Sequence, residues 1–441
     1  MQKYLERDWK ALICLLKRSW WMRTWIMQEA TTANETMMAW GNTTIPFQMV
    51  LSCISMITGT MSFFLCDSDL LSGYETSLPP FVNEVFTYMD KGPMIITRIS
   101  ESREQLTTAS SPLSILKMVQ MFRPCGASDN RDKIFAPLSL FENPHLPNFV
   151  IDYNVSEKAV YQRFAESLIL ATNPPNLDVL GFCWTHEEKE GQESPSLPSW
   201  VPDWTKPSPH ALERLPKRLP EFDDIRIGER VAYAADSVLR RMAGAEQNLR
   251  VQLVDGLLQA HGLLLAQLED IRPPFGNNSA YEDSLFDDAE TRMYTPTGTT
   301  LHEASLMTSS CGLSYKEGVF DRSDPVNWNE LDLRTLLDFS DKRASGVAEV
   351  KVPDILYFSH AFGRCLASTN RGFIALVPSN ARVGDQLYIL YGGQVVYCLR
   401  KDGTMHTSVG ECYVHGIMDG EFIGYLGIDG STIVMDKVTI K

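Results

Sequence analysis

What the chain lacks narrows its reading first. There is no G-x-x-x-x-G-K-[ST] phosphate loop, no G-x-G-x-x-G, no H-E-x-x-H, no C-x-x-C and no G-x-S-x-G. The short motifs of nucleotide cradles, zinc proteases, redox dithiols and serine hydrolases are therefore absent. Nine cysteines are an odd number, and no two lie within four positions of each other. That spacing fits reduced, buried thiols in a cytoplasmic protein rather than a secreted disulfide framework. Basic charge is also short: 40 Lys and Arg face 55 Asp and Glu, a net charge of −15. Nucleic acid and anionic membrane select for basic surface, so neither is an expected partner. Met1 is followed at once by Lys3, Glu6, Arg7 and Asp8, which does not read as a signal peptide.

Charge is missing altogether from Gly41 to Cys66. Phe47 to Cys66 is about long enough to span a bilayer, but Gln48, Ser52, Ser55, Thr58, Gly59, Thr60 and Ser62 interrupt it. Phe47, Val50, Leu51, Ile54, Ile57, Met61, Phe64 and Leu65 recur at amphipathic spacing. The stretch is read as a buried helix of a soluble protein, with no membrane span.

What is present supports real cores: 441 residues, 44% of them hydrophobic, enough for two or three domains. Arg18-Ser19-Trp20-Trp21-Met22-Arg23-Thr24-Trp25-Ile26-Met27-Gln28-Glu29 is the most unusual stretch. Residues 1–30 read as helix, which would place Trp21, Trp25 and Gln28 at i, i+4 and i+7 on one face. Glu29 could be a buried acid paired with Arg18 or Arg23. Trp40-Gly41-Asn42 marks a turn. Helices are expected over about 81–89 and 114–122. Ser128 or Asp129 can cap a further helix that Pro137 limits to about two turns. Phe149 to Tyr153 looks extended. Ser156 caps a helix whose inner face is Val160, Phe164, Leu168 and Ile169, and Leu177 to Trp184 reads as a short helix or buried strand. In Leu197-Pro198-Ser199-Trp200-Val201-Pro202-Asp203-Trp204, two prolines hold an extended backbone that presents two rings as anchors on a larger surface.

Leu249 to Ile271 alternates as a long or bent strand pair would, with a helix, weakened by Gly256 and Gly262, as the competing reading. The acidic residues that follow read as poorly ordered, with one helix near Leu331 to Phe339. From Phe373 the chain reads as short strands: Phe373–Val377, Gln386–Tyr391, a Gly392-Gly393 hairpin turn into Gln394–Arg400, and Ser408–Met418. The search for chemistry returns little. His186-Glu187-Glu188 lacks a second histidine. Cys412 and His415 lie three apart on an expected strand and point to opposite faces. Asp223-Asp224 and Asp287-Asp288 read as solvated loop charges.

Taken in order, several stretches resemble the fungal heterokaryon-incompatibility (HET) domain proteins. Arg18, Trp20, Trp21, Arg23, Trp25, Gln28 and Glu29 fit that family's Arg-x-Trp-Trp-x-Arg-x-Trp-x-x-Gln-Glu signature. Gly41 with Ile45 matches its next step, with Trp40 in place of the usual small residue. Asp129, Arg131, Asp132 and Lys133 look like its D-x-R-D-K block, with Pro137 a departure. Asp152-Tyr153 with Val160-Tyr161 looks like its D-Y … V-Y step, and Leu197 to Trp204, with Trp200, Pro202, Asp203 and Trp204, like its L-P-S-W-V-P-D-W segment. Gly384-Asp385, Arg400, Gly410-Glu411 and Tyr413 to Glu421, including Gly416, Asp419, Gly420 and Glu421, are similar to its C-terminal region. Val396 stands where a proline is common. The family's A-L-S-Y-x-W-G and W-I-D-x-x-C-I-N-Q stretches, which precede the arginine-tryptophan signature, have no counterpart here. The expectation is a chain without most of the HET domain, from a shortened gene or a shortened reading of one.

The combined expectation is an α+β protein, with a largely helical N-terminal half and a small all-β, barrel-like C-terminal domain. Residues 1–40 would be the C-terminal remnant of the HET domain and 41–210 a helical region. Residues 211–247 would be a variable linker, 248–272 plus 355–441 the β-rich domain, and 273–354 an acidic, partly disordered insertion. The resemblance implies non-self recognition between hyphae, ending in growth arrest or programmed cell death, through contact with a protein partner (an incompatibility factor). It also brings a distant likeness to TIR domains, some of which cleave NAD. That pocket would lie mainly in the part without a counterpart here, so no enzyme activity, cofactor or metal is expected of this chain. An inactive fragment is the remaining alternative. If the missing part is a sheet that normally covers the arginine-tryptophan stretch, some of Trp20, Trp21 and Trp25 should be exposed or covered by the uncharged helix.

Overall fold

The computed structural model describes residues 2–32, 35–66, 96, 112–141, 144, 146–173, 175–183, 197–206, 233–237, 239–240, 249–274, 291–316, 319–322, 361, 363–421 and 435–441. Among these, seven α-helices and a large, mainly antiparallel sheet make a mixed α+β chain. The expected helices over 81–89 and 331–339 lie outside the described residues.

The N-terminal helix does not run through the tryptophan stretch. Helix α1 (Gln2–Leu16) ends, a single 3-10 turn holds Ser19–Met22, and α2 (Thr24–Thr32) begins afresh. Arg18 and Arg23 on either side of the turn are extended, with ψ of 132° and 127°. A distant glycine causes the break. Gly126 donates its N–H to the Met22 carbonyl, and its own carbonyl accepts the Thr24 N–H at 3.0 Å and the Thr24 hydroxyl at 2.9 Å. Those bonds exceed the small helix propensity of Met and Thr, as tertiary contacts commonly do. Trp21, Trp25 and Gln28 consequently do not share one helical face.

Two short strands, β1 (Met37–Trp40) and β2 (Thr43–Pro46), form a hairpin across Gly41-Asn42, with Gly41 at φ +60°. They lead directly into α3 (Phe47–Cys66). Phe47, Val50, Leu51 and Ile54 are buried, whereas Met49, Cys53 and Met56 face out, so over residues 47–56 α3 buries one side. No helix among the described residues is long and apolar enough to cross a membrane. Trp21 is buried and stacks on Phe47 at 6.2 Å, and Trp20 meets Phe47 edge-on at 5.8 Å. The uncharged helix thus covers two of the three rings. Trp25 stays 36% exposed.

Helices α4 (Pro112–Phe122), α5 (Asp132–Leu138) and α6 (Glu157–Leu170) follow. Ser156 caps α6 by accepting the Ala159 N–H, and Val160, Phe164, Leu168 and Ile169 are its buried face. The start of α5 differs from expectation. Neither Ser128 nor Asp129 caps it; Arg131 precedes it with helical dihedrals, and Asp129 spends its carboxylate on Arg131. Phe149–Tyr153 pairs with no strand among the described residues, and Asp178–Phe182 is a 3-10 turn.

The large sheet is built from β3 (Val251–Val254), β4 (Leu257–Ile271), β9 (Arg364–Thr369), β10 (Ile374–Pro378), β11 (Gln386–Leu390), β12 (Val396–Asp402), β13 (Met405–Val414) and β14 (Asp436–Ile440). Neighbours run β10-β9-β4-β11-β12-β13-β14. Because β10 also pairs with β13, and β14 with β4, the path returns on itself. Gly392-Gly393 is not a two-residue hairpin turn: the last pair is Ile389 with Val396, and Tyr391 to Val395 connect β11 to β12. The glycines serve close approach instead. A Cβ on Gly392 would stand 2.4 Å from the Pro175 carbonyl oxygen, and one on Gly393 2.4 Å from the Tyr397 ring.

Part of the acidic stretch is ordered. Strands β5 (Met293–Tyr294) and β6 (Thr299–Thr300) pair, and Thr300 with Glu303 forms a capping box for α7 (Leu301–Ser309). Leu301, Ala304 and Met307 are buried against β9 and β10. A further hairpin joins β7 (Leu313–Lys316) to β8 (Val319–Arg322).

The segment around Trp200 joins helices to sheet. Both rings are fully buried. Trp200 donates to the Gly256 carbonyl at 3.1 Å, and Trp204 packs edge-on against Phe164 at 6.1 Å. Ser199 donates its N–H to the Lys441 carbonyl at 2.8 Å, and its hydroxyl accepts the Ser408 N–H at 2.9 Å. Replacing Trp204 by alanine is expected to cost about 3–5 kcal/mol in urea unfolding. A loss below about 1 kcal/mol would show that the ring is not an anchor.

Candidate functional site

Blocks far apart in sequence meet at the carboxylate of Asp132. Trp25 Nε1 donates to Asp132 Oδ2 at 2.9 Å, and the Tyr153 hydroxyl donates to Oδ1 at 2.6 Å. Asp132 itself is buried, in the first turn of α5, where a negative charge is favoured. Burial and the neighbouring Asp132 push the Tyr153 phenol up to about 12, so it remains a donor at any ordinary pH.

Arg131 holds the other side of the same tyrosine. Its guanidinium lies 5.3 Å from the Tyr153 ring centre and donates to the carbonyls of Tyr153 and Val155, the latter at 2.9 Å. Asp129 is its ion-pair partner at 2.6 Å, and that bond keeps the Asp129 carboxyl below the usual range. Phe135 meets the Tyr153 ring edge-on at 4.9 Å. Lys133 turns inward and donates to the carbonyls of Arg123 and Cys125, beside the Gly126 that breaks the first helix. Burial lowers its pKa.

Arg123 clamps the next block. It donates to the carbonyls of Lys206 (2.8 Å), Asp203 (2.9 Å) and Phe182 (3.1 Å), and its charge lies 5.2 Å over the Trp204 ring. Pro202 is buried beside these rings. Burial alone would raise the Asp203 carboxyl, but hydrogen bonds from Thr205 and Lys206 carry it below its ordinary value. Arg123 was invisible in the sequence, because a lone arginine at a helix end has no spacing signal.

The remaining signature residues fall elsewhere. The Arg18 guanidinium lies 5.5 Å from the Trp40 ring centre. Arg23 and Glu29 are exposed and Gln28 half-buried. Glu29 is therefore not a buried acid, and no ion pair joins it to Arg18 or Arg23 among the described residues. In the sheet, Arg400 grips Asp385 through Nε at 2.9 Å and a second nitrogen at 2.8 Å, a bidentate pair. Gly384, at φ +94°, makes the turn before it. Gly416 sits at φ +73°, where a Cβ would come 2.9 Å from Thr297. Gly420 is also left-handed, and the Asp419 N–H donates to the Glu421 carboxylate at 2.7 Å.

A buried polar seam, unmarked by any motif, ties covering segments to the sheet. Arg364 and Glu411 form a fully buried ion pair at 3.2 Å. Asp236, near Arg240, accepts the Gly392 N–H at 3.0 Å, and Gln394 donates to Asp178 at 2.9 Å. Burial raises the Asp236 carboxyl to about 6. His415 stacks on Tyr294 at 5.7 Å, with Nδ1 3.2 Å from the Tyr413 hydroxyl and no hydrogen-bond partner for Nε2 among the described residues. Burial lowers its pKa to about 3. Among the described residues, no three His, Cys, Asp or Glu side chains are grouped to hold a metal.

Residues 339–425 match the Het-6 beta-barrel domain family. The chain is also 21% identical, over 446 aligned positions, to heterokaryon incompatibility protein 6, OR allele, of Neurospora crassa. Both likenesses are to heterokaryon-incompatibility (HET) proteins. The alignment covers 92% of the chain and 65% of that relative, so the chain spans just under two thirds of the relative's length. No solved structure matches. The matched stretch contains β9 to β13, Asp385, Arg400 and Gly416 to Glu421. Strands β4 and β14 pair with it from outside, β3 joins only through β4, and the Asp132 cluster lies well before it.

Two outcomes are expected. Asp132→Ala leaves two donors without their acceptor and should cost about 2–4 kcal/mol of unfolding free energy, with Asp132→Asn losing less. His415 is neutral when folded, so its contribution is complete above the ordinary histidine value of about 6.5 and is lost as pH falls toward 3. The unfolding free energy from urea titrations should drop between pH 7 and pH 5, by up to about 1.4 kcal/mol per pH unit from this residue. His415→Asn should flatten that slope; an unchanged slope would contradict the assignment.

Proposed function

We propose that the chain acts in fungal heterokaryon incompatibility, as a contact factor in non-self recognition that ends in growth arrest or programmed cell death. The observation that carries this reading is the surface above Asp132. Trp25 and Tyr153 direct their polar ends to the same carboxylate and remain 36% and 46% exposed. Rigid aromatic side chains with one polar end are the usual anchors of protein interfaces. Three of the family-like blocks supply the pair and its support. The partner is another cytoplasmic protein. In this reading the helices of the first half carry the contact surface, and the returning strand path from 248–272 and 355–441 is the β-barrel. Residues 273–354 are an insertion into it, and 211–247 a linker.

The test is inducible expression of the gene, wild type or Trp25→Ala/Tyr153→Ala, in a panel of fungal strains. The wild type should arrest hyphae in some strains, and the double variant should not, at equal protein level. Arrest in no strain, or arrest indifferent to the double variant, would overturn the reading. Release of nicotinamide from NAD by the pure protein would replace it with a TIR-like enzyme.

A further inference from the structure

From Thr36 to Cys66 the chain carries no Lys, Arg, Asp, Glu or His, although its net charge is −15. That stretch holds the β1–β2 hairpin and α3. The inner side of α3 is fixed, because Phe47 stacks on Trp21, and Val50, Leu51 and Ile54 are buried with it. Its outer side is thereby fixed as well. There Met49, Cys53 and Met56 follow at i, i+4 and i+7 and form one exposed stripe. Met49 and Met56 are 58% and 65% exposed. Gln48 and Ser52, along the same side, are exposed and polar but uncharged. Met37 and Trp40 of the hairpin add two more exposed apolar side chains just before α3. An uncharged apolar stripe kept in water by an acidic chain marks a contact surface.

We propose that this stripe is a self-association surface, on which α3 of a second copy packs antiparallel about a two-fold axis beside Cys53. Charge selects the occupant. Two chains of −15 repel wherever their acidic surfaces meet, and residues 36–66 are the longest uncharged stretch on which they can approach. The stripe is also self-complementary. In an antiparallel pair, Met49 of one copy faces Met56 of the other at both ends, and Cys53 lies next to the axis. The small Ser52 beside it lets the two backbones come close. With helix axes about 8–10 Å apart and Cα atoms about 2.3 Å from each axis, the two Cys53 Cα atoms stand about 4–6 Å apart. Each α3 runs further beyond Cys53 than before it, so its later turns reach alongside the β1–β2 hairpin of the other copy. A two-fold contact of this kind closes after two copies.

Sedimentation velocity of the full chain at rising concentration tests this. The expected result is a monomer–dimer equilibrium that tightens as salt is raised, because salt screens the mutual repulsion and leaves apolar contact intact. Met49→Glu/Met56→Glu should weaken the dimer by about tenfold or more, with a native circular-dichroism spectrum. Cys14 is the other exposed cysteine among the described residues, so cross-linking is read in a Cys14→Ser background. Diamide, which takes up the two thiol hydrogens as the S–S bond forms, should link two chains through Cys53. Cys53→Ser should abolish the link and leave the equilibrium in place. A chain that stays monomeric at every concentration and salt would overturn the proposal. So would a dimer that is indifferent to the Met49 and Met56 double variant, is weakened by salt, or forms no Cys53 link.

Discussion

One buried carboxylate orders the N-terminal architecture. Asp132 accepts from an indole that begins the second helix and from a phenol that precedes the sixth. Both donors lie at the surface, so without the carboxylate each ring would be free to rotate into solvent. With it, their positions follow from the position of α5. Arg131 repeats the logic one residue earlier, binding the backbone after Tyr153 while Asp129 neutralises it. Lys133, one residue later, reaches the carbonyls beside Gly126. Three consecutive charged side chains thus point in three directions and hold three different segments. That explains why a short, proline-ended helix needs so many charges.

The C-terminal half solves a different problem. Its sheet has most strands buried on both faces, because helices and loops cover the outside of the returning strand path. Covering segments bring backbone groups with them, and the polar seam satisfies these. Asp236 meets Gly392, Tyr397 donates to the Leu177 carbonyl at 3.1 Å, and Tyr294 to the His415 carbonyl at 2.8 Å. A buried ion pair such as Arg364–Glu411 adds little net stability, yet losing one partner would strand the other charge. The seam therefore specifies which segment covers which strand more than it strengthens the fold.

Much of this was legible from residue spacing. The Ser156 cap with its four inner residues, the β3–β4 pair and the burial of Trp200 and Trp204 all follow local rules, and local rules survived. The failures share one cause. The tryptophan stretch has helical spacing, but Gly126, about a hundred positions away, pairs with its backbone and breaks it. Gly392-Gly393 has hairpin chemistry, but Pro175 and Tyr397 need the space. Thr300 and Glu303 are a readable capping box that the acidic composition around them hid. Of the site, Trp25, Asp132 and Tyr153 were each singled out, but separately. Their meeting at one carboxylate is a long-range fact that no spacing contains.

Trp25 and Tyr153 are coupled through Asp132, and a double-mutant cycle with Trp25→Phe and Tyr153→Phe measures that coupling directly. Phenylalanine removes each donor and keeps a ring in place. If both donors share the carboxylate, the second loss should differ from the first, with a coupling of about 0.5–1.5 kcal/mol in unfolding free energy. Effects that add to within about 0.3 kcal/mol would mean that the blocks are only neighbours, and the central claim would fall.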